Sequence, residues 1–287
     1  MVSSTVSPMA AVRRRSAATS DLAGGWCGSA LGYTFTAVST DEAVQAHAVR
    51  LFAGLVLGVT SRVQHMFVLP AGDDAEVGVG FVAMAGTINF AAIDAAAGDL
   101  LLHAGAVASP DGGTAVLCGP SGSGKSTLTA VLAGRGHAYV TDETVCLDPL
   151  TLRITPYRKP VAVKAGSFGP LQHLAPEPGS LAAACSGSGM WLVAPADLGG
   201  ADLPDVPLDP RLIVLPTYVE GSAVTLERLD EGEAAFALGG NSSQGLHRVD
   251  LPLEALARLV RRAPAYRLVH GDVQQAADAV EQLWAAS

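Results

Sequence analysis

The chain has 287 residues, 49% of them hydrophobic and 16% charged, and carries a net charge of −9 at pH 7. That length can bury a large core, as one big domain or two small ones. The acidic balance argues against nonspecific binding to nucleic acid or to anionic membrane, while leaving room for a local basic patch. Its four cysteines (Cys27, Cys118, Cys146, Cys185) have no metal-ligand spacing, and two lie in apolar strand-like runs that suit buried, reduced thiols.

Residues 1–25 are rich in Ser, Ala and Arg without periodicity and read as disordered. Arg13-Arg14-Arg15 is not followed by an apolar core of about 7–15 residues, so no secretory signal is expected. No run of about eighteen apolar residues spans a bilayer, which gives a cytoplasmic expectation. Residues 26–98 read as a small α/β subdomain without a catalytic constellation. It holds a strand to Val38, a helix over 41–55 started by Ser39-Thr40-Asp41-Glu42, strands over 59–70 and 76–84, and a short element near 88–96.

Residues 99–287 read as the core. They begin with a strand or short helix carrying His103, a strand over 114–118, a helix over 126–134 and a strand over 138–147. Another strand covers 157–164. The stretch 165–210 is rich in Gly and Pro, and a long irregular segment inside a compact domain suits a substrate lid. Strands over 212–216 and 223–229 follow, then helices over 253–261 and 273–284 on either side of a short strand at 266–269.

Between the strand at 114–118 and its helix lies Gly119-Pro-Ser-Gly-Ser-Gly-Lys-Ser126, a full match to the phosphate-loop pattern in its proper strand-to-helix setting. Glycines let successive backbone N–H groups turn inward to a phosphate, and the new helix adds unpaired N–H groups and its positive dipole end. Gly119, Ser121, Gly122, Ser123, Gly124, Lys125, Ser126 and Thr127 are therefore the nucleotide-binding candidates. Lys125 would reach the terminal phosphates, and the Ser126 hydroxyl would sit on Mg²⁺. The chain has only three lysines (Lys125, Lys159, Lys164) against fifteen arginines, so each lysine stands out.

Phosphoryl transfer also needs a carboxylate for the metal and a base for the acceptor. A strand next to the loop strand would end at Asp142-Glu143, beside the phosphates, because parallel α/β sheets bind ligands at that edge. Adjacent strand residues face opposite ways, so one carboxylate would serve the site and the other would anchor a neighbour, unless the strand bulges. Ser126, Asp142 and Glu143 are the metal candidates. Arg158, Lys159 and Lys164 follow closely and could reach the nucleotide or the transferred group, and Arg158 and Lys164 are the candidates carried forward. His137, His247 and His270 receive a structural reading, and Ser167 that of a turn.

The series His103, Gly119–Ser126, Arg135-Gly136-His137 and Thr141-Asp142-Glu143 resembles the kinase core of HPr kinase/phosphorylase. The resemblance covers about residues 100–150 and implies a P-loop core of the HPr-kinase/PEP-carboxykinase type, binding ATP and Mg²⁺. It implies that Asp142 is the general base, that Lys125 holds phosphates and that His103 tunes the base. Glu143 stands where the family has a second aspartate, and His103 is followed by Ala-Gly rather than Gly. Pro156–Ser167 and Tyr266–Asp272 are similar to segments of HPr-kinase-related enzymes of peptide natural-product biosynthesis, including kinases of lasso-peptide precursors. The expected acceptor is thus a Ser/Thr hydroxyl of a peptide or small protein, with no nucleic-acid or membrane partner and a homo-oligomer left open. The alternatives are a P-loop ATPase or nucleotide-gated binding module, and a kinase of a small-molecule alcohol.

Overall fold

A computed structural model describes residues 25–57, 63–184, 189–242 and 253–286. Residues 1–24 of the expected disordered segment lie outside that set, as do Cys185, His247 and residues 58–62. The protein is mixed α/β, with three sheets and seven α-helices among the described residues.

The front of the chain forms a small sheet with two helices. β1 (Trp26–Ala30) and β2 (Tyr33–Val38) pair as an antiparallel hairpin. Its turn residues Leu31 and Gly32 have φ of 49° and 88°, the two-residue turn whose twist matches that of the strands. α1 (Glu42–Leu51) starts as its sequence predicts, with the Asp41 carboxylate accepting from the Ala43 and Val44 amides. β3 (Val56–Leu57) and β4 (His65–Val68) complete the sheet in the order β3-β1-β2-β4.

The strand expected over 76–84 and the element near 88–96 are instead one helix, α2 (Asp74–Ala95). Val77-Gly-Val-Gly-Phe81 imitates a two-residue period because glycine fills alternate positions. The buried residues Val77, Phe81, Met84, Ile88 and Ala92 follow the helical stripe, and the Asp73 side chain caps the first turn. Among the described residues α2 alone is long and apolar enough to cross a membrane, with a window of mean hydropathy 1.5. That is weak evidence for a span, because its stripe packs with Trp26, Phe35, Phe52 and Phe67 in a core. Tyr157, Leu192 and Ala194 enter the same core from far along the chain, so packing crosses the boundary drawn at residue 98.

The larger sheet begins with β5 (Leu100–Ala108) and β6 (Gly113–Cys118), followed by α3 (Lys125–Gly134). The strand expected over 138–147 is interrupted, giving β7 (Ala138–Thr141) and β8 (Thr144–Leu147), and β9 (Ile154–Thr155) follows. β10 (Val161–Lys164) and β11 (Met190–Val193) form a separate antiparallel ribbon. Between them lie 3₁₀ turns and the single-turn α4 (Leu181–Ala184), so part of the expected 165–210 loop has regular structure. β12 (Asp209–Tyr218) and β13 (Thr225–Arg228) precede α5 (Glu231–Gly240), a helix the sequence reading lacked, closed by a capping box from Asp230 and Glu233. α6 (Leu253–Arg262), β14 (Ala265–His270) and α7 (Val273–Ala285) end the fold.

The eight strands run β13-β14-β12-β6-β5-β8-β9, with β7 also beside β5. Alternation along β6 sends Val116 and Cys118 into one core with Leu238 and Leu256, and Ala115 and Leu117 into another with Leu128, Leu132 and Val280. Helices therefore cover both faces, which explains why β6 reads as a continuous apolar run. Cys118 and Cys146 are buried free thiols.

Candidate functional site

The carboxyl end of β6 opens into the Gly119–Ser126 loop. Gly122 and Gly124 take φ of 84° and 95°, a region closed to most side chains, and Gly124 is also the N-cap of α3. Lys125 is only 4% exposed, and its Nζ donates to the Gly119 and Pro120 carbonyls at 2.6 and 2.8 Å. Burial lowers its pKa, and Lys164 adds to that while Glu143 and Asp142 oppose it.

The acids reach this loop by a different route from the one expected. β7 is not next to β6: β5 lies between them, antiparallel to both. β7 therefore runs in the same direction as β6 and ends at the same edge. Its pairing slips between Ala106 and Val107 of β5, which pair with Thr141 and Tyr139, so Val140 is an extra residue. This bulge lets the Tyr139 hydroxyl reach Asp142 Oδ1 at 2.9 Å, across a spacing that a regular strand places on opposite faces. The chain bends again at Asp142-Glu143, where the Thr141 hydroxyl accepts from the Glu143 and Thr144 amides.

Asp142 is 2% exposed, and Lys159 Nζ donates to its Oδ1 at 2.8 Å. Burial first, then Asp142, holds the Tyr139 phenol well above its usual pKa, so it stays a donor. Glu143 is more open. Its Oε1 lies 3.6 Å from His103 Nδ1 and its Oε2 4.0 Å from Lys159 Nζ. His103 Nδ1 is also 3.1 Å from the Glu143 carbonyl, so the direct partner of His103 is Glu143 rather than Asp142. Burial depresses the His103 pKa, Lys125 depresses it further and Glu143 opposes both.

One cleft of about 860 Å³ gathers His103, Ser121, Gly122, Gly124, Lys125, Ser126, Thr127, Asp142, Glu143 and Lys164. Gly119 and Ser123 do not line it. Ser123 is buried in the loop, and Gly119 contributes its carbonyl to Lys125. Arg158 is outside the cleft as well, with its backbone packed against Gly54 of the front region. Ser126 Oγ donates to the Asp142 carbonyl at 3.4 Å. The Thr127 and Ser167 hydroxyls meet at 2.6 Å, which ties α3 to the 3₁₀ turn after β10. Among the described residues no cluster of three His, Cys, Asp or Glu side chains forms a metal site. Ser126, Asp142 and Glu143 nevertheless fit Mg²⁺, which takes one or two carboxylates and completes its shell with phosphates and water.

The Arg135-Gly136-His137 turn is structural. Arg135 binds Asp278 at 2.7 Å and Glu281 at 2.9 Å, and His137 binds Glu281 at 2.9 Å while stacking on Trp284. It fastens α3 to α7, away from the acids. Three residues at the site, Tyr139, Tyr218 and His270, were absent from the sequence-based site candidates. Tyr139 holds Asp142 together with Lys159, which lysine scarcity had made stand out, and nothing marked the tyrosine. Tyr218 and His270, at the ends of β12 and β14, line the cleft on the other side of the loop. Only the strand order shows that they belong there.

No protein-family model matches the chain, and no curated protein matches it.

Proposed function

We propose that the protein is a phosphotransferase with a P-loop core of the HPr-kinase/PEP-carboxykinase type. It moves the terminal phosphoryl group of a nucleoside triphosphate to a Ser/Thr hydroxyl of a peptide or small protein. One arrangement carries this reading: Lys125 and Ser126 at the start of α3 and Asp142 and Glu143 just past the end of β7 line a single cleft. Ser126 and Glu143 would hold Mg²⁺, with Asp142 beside them, and the ion when bound neutralises charge on the phosphates. On binding, Lys125 exchanges the Gly119 and Pro120 carbonyls for phosphate oxygens.

Asp142 is set for orientation. Lys159 and Tyr139 fix its Oδ1, and the other carboxylate oxygen is left to align the acceptor hydroxyl and take its proton as the new O–P bond forms. The bond to the leaving phosphate oxygen breaks, and the nucleoside diphosphate departs with that electron pair. Such a transition state asks mainly for positioning and fixed charge, which a buried, doubly held carboxylate supplies. His103 fixes Glu143 from the opposite side.

The test is incubation with labelled ATP, Mg²⁺ and candidate Ser/Thr peptides. Label on the peptide supports the proposal, and label appearing only as free phosphate points to an ATPase. Full transfer by Asp142→Asn would remove Asp142 from its assigned role.

A further inference from the structure

The proposed donor is a nucleoside triphosphate, and the Gly119–Ser126 loop accounts only for its phosphates. The two flanks of the loop strand differ in what they offer its two ends. The acids stand on the β5–β7 side of β6. β12 and β14 lie on the other side and run parallel to β6, so their carboxyl ends open on the same edge. If Gly119–Ser126 cradles phosphates, the reacting phosphate faces Asp142 and Glu143. The remainder of the donor then leaves across the loop towards β12 and β14.

What stands there suits a nucleoside. Tyr218, the last residue of β12, keeps half of its surface open at the cleft. His270, the last residue of β14, is 1% exposed, and neither ring nitrogen has a well-placed hydrogen-bond partner. Buried polar groups are nearly always paired, so an orphan lining a cleft marks a place for a ligand. The two rings meet edge to face with centroids 5.7 Å apart. His270 sits so close to the loop that a Cβ added to Gly124 would lie 3.3 Å from its Nε2. Burial lowers the His270 pKa, opposed by the Asp272 backbone and carboxylate. A neutral imidazole offers one donor and one acceptor, which matches a base edge or a ribose hydroxyl rather than a phosphate. The cleft of about 860 Å³ is also large for an inorganic polyphosphate alone.

We infer that Tyr218 and His270 form the nucleoside subsite of that donor, with the base stacked on Tyr218 and hydrogen-bonded by His270. This rests on the phosphate reading of the Gly119–Ser126 loop. Calorimetric titration of the full chain with ATP and with inorganic tripolyphosphate, both with Mg²⁺, tests it. Base–aromatic stacking is worth about 1–3 kcal/mol, so ATP should bind the wild type at least about 10-fold more tightly than tripolyphosphate. Tyr218→Ala should weaken ATP by about 10-fold, with no matching loss for tripolyphosphate, and Tyr218→Phe should restore it. Tyr218 is half-exposed, so its truncation keeps the fold, which circular dichroism checks. Equal affinities in the wild type, or equal losses for both ligands in Tyr218→Ala, would overturn the subsite while keeping the loop. Failure of both ligands to bind, or wild-type binding of both by Lys125→Ala, would overturn the phosphate reading itself.

Discussion

The two flanks of the Gly119–Ser126 loop are built on opposite plans. On the β5–β7 flank the charged groups satisfy one another: Lys159 and Tyr139 hold Asp142, while His103 and Lys159 approach Glu143. On the β12–β14 flank His270 is buried with neither ring nitrogen in a well-placed hydrogen bond, and Tyr218 is half-open. The first plan fixes charges in place before any substrate arrives, as electrostatic preorganisation requires. The second leaves recognition groups unspent. Fixed charge suits the reacting end of a substrate, and unspent hydrogen-bonding capacity suits the end that is merely held.

This contrast can be broken experimentally. Asp142→Asn should cut phosphoryl transfer to peptide by about 10³-fold, within the usual range for a positioned acid or base, while ATP affinity stays within a few-fold. Single-turnover transfer beside calorimetric binding would show it, and equal losses in both would erase the division between flanks. Lys159→Met leaves a buried carboxylate unpaired and should lower unfolding stability by about 3–5 kcal/mol in urea titrations. Adding Asp142→Asn to that variant should return part of the loss, because the pair then disappears together. A strictly additive double variant would mean that the two side chains do not act as a pair.

Gly124→Ala tests the junction between the flanks. The left-handed backbone at this position costs a residue with a Cβ about 1–3 kcal/mol, and the new methyl group presses on His270. A lowered urea midpoint and weaker ATP binding are expected together. The smallest effect concerns pH. His47, His103 and His270 all have depressed pKa values, led in each case by burial. At each of these sites the unfolded chain binds more protons than the folded one over the window between the depressed value and about 6.5. Their contribution to stability is therefore complete above about pH 6.5 and declines as pH falls through that window. His270→Gln should flatten the slope of the urea midpoint between about pH 7 and 5, and an unchanged slope would show that His270 does not take part.

Much of the loop and its surroundings was legible because the signals were local. Gly119–Ser126 has a fixed spacing, β6 and β14 are short apolar runs, and Pro264 separates α6 from β14. The order of the strands was not legible. Nothing in Ala138–Thr141 says that β5 separates it from β6, because that choice is made by pairing between distant segments. The place of His270 in the cleft was not legible for the same reason, since its neighbours Gly124 and Tyr218 are remote in sequence. α2 was misread because alternating glycines imitate the two-residue period of a strand. Arg158 was singled out because it follows the acid strand closely in sequence, yet it packs towards Gly54 while its neighbour Lys159 reaches Asp142, because neighbours on an extended segment face opposite ways.

The bulge at Val140 has a bearing on how this protein could be altered. The slipped pairing is a matter of residue count, because Ala106 and Val107 of β5 face the three residues Tyr139, Val140 and Thr141 of β7. Without the slip, the three-residue spacing would put positions 139 and 142 on opposite faces and separate the hydroxyl from the carboxylate it steadies, whereas loss of Val140 together with the slip would shorten the spacing to two and keep both on one face. Spacing and slip are thus matched to each other. A substitution leaves the count of residues as it is, whereas a slip lost without a lost residue would part the hydroxyl from the carboxylate.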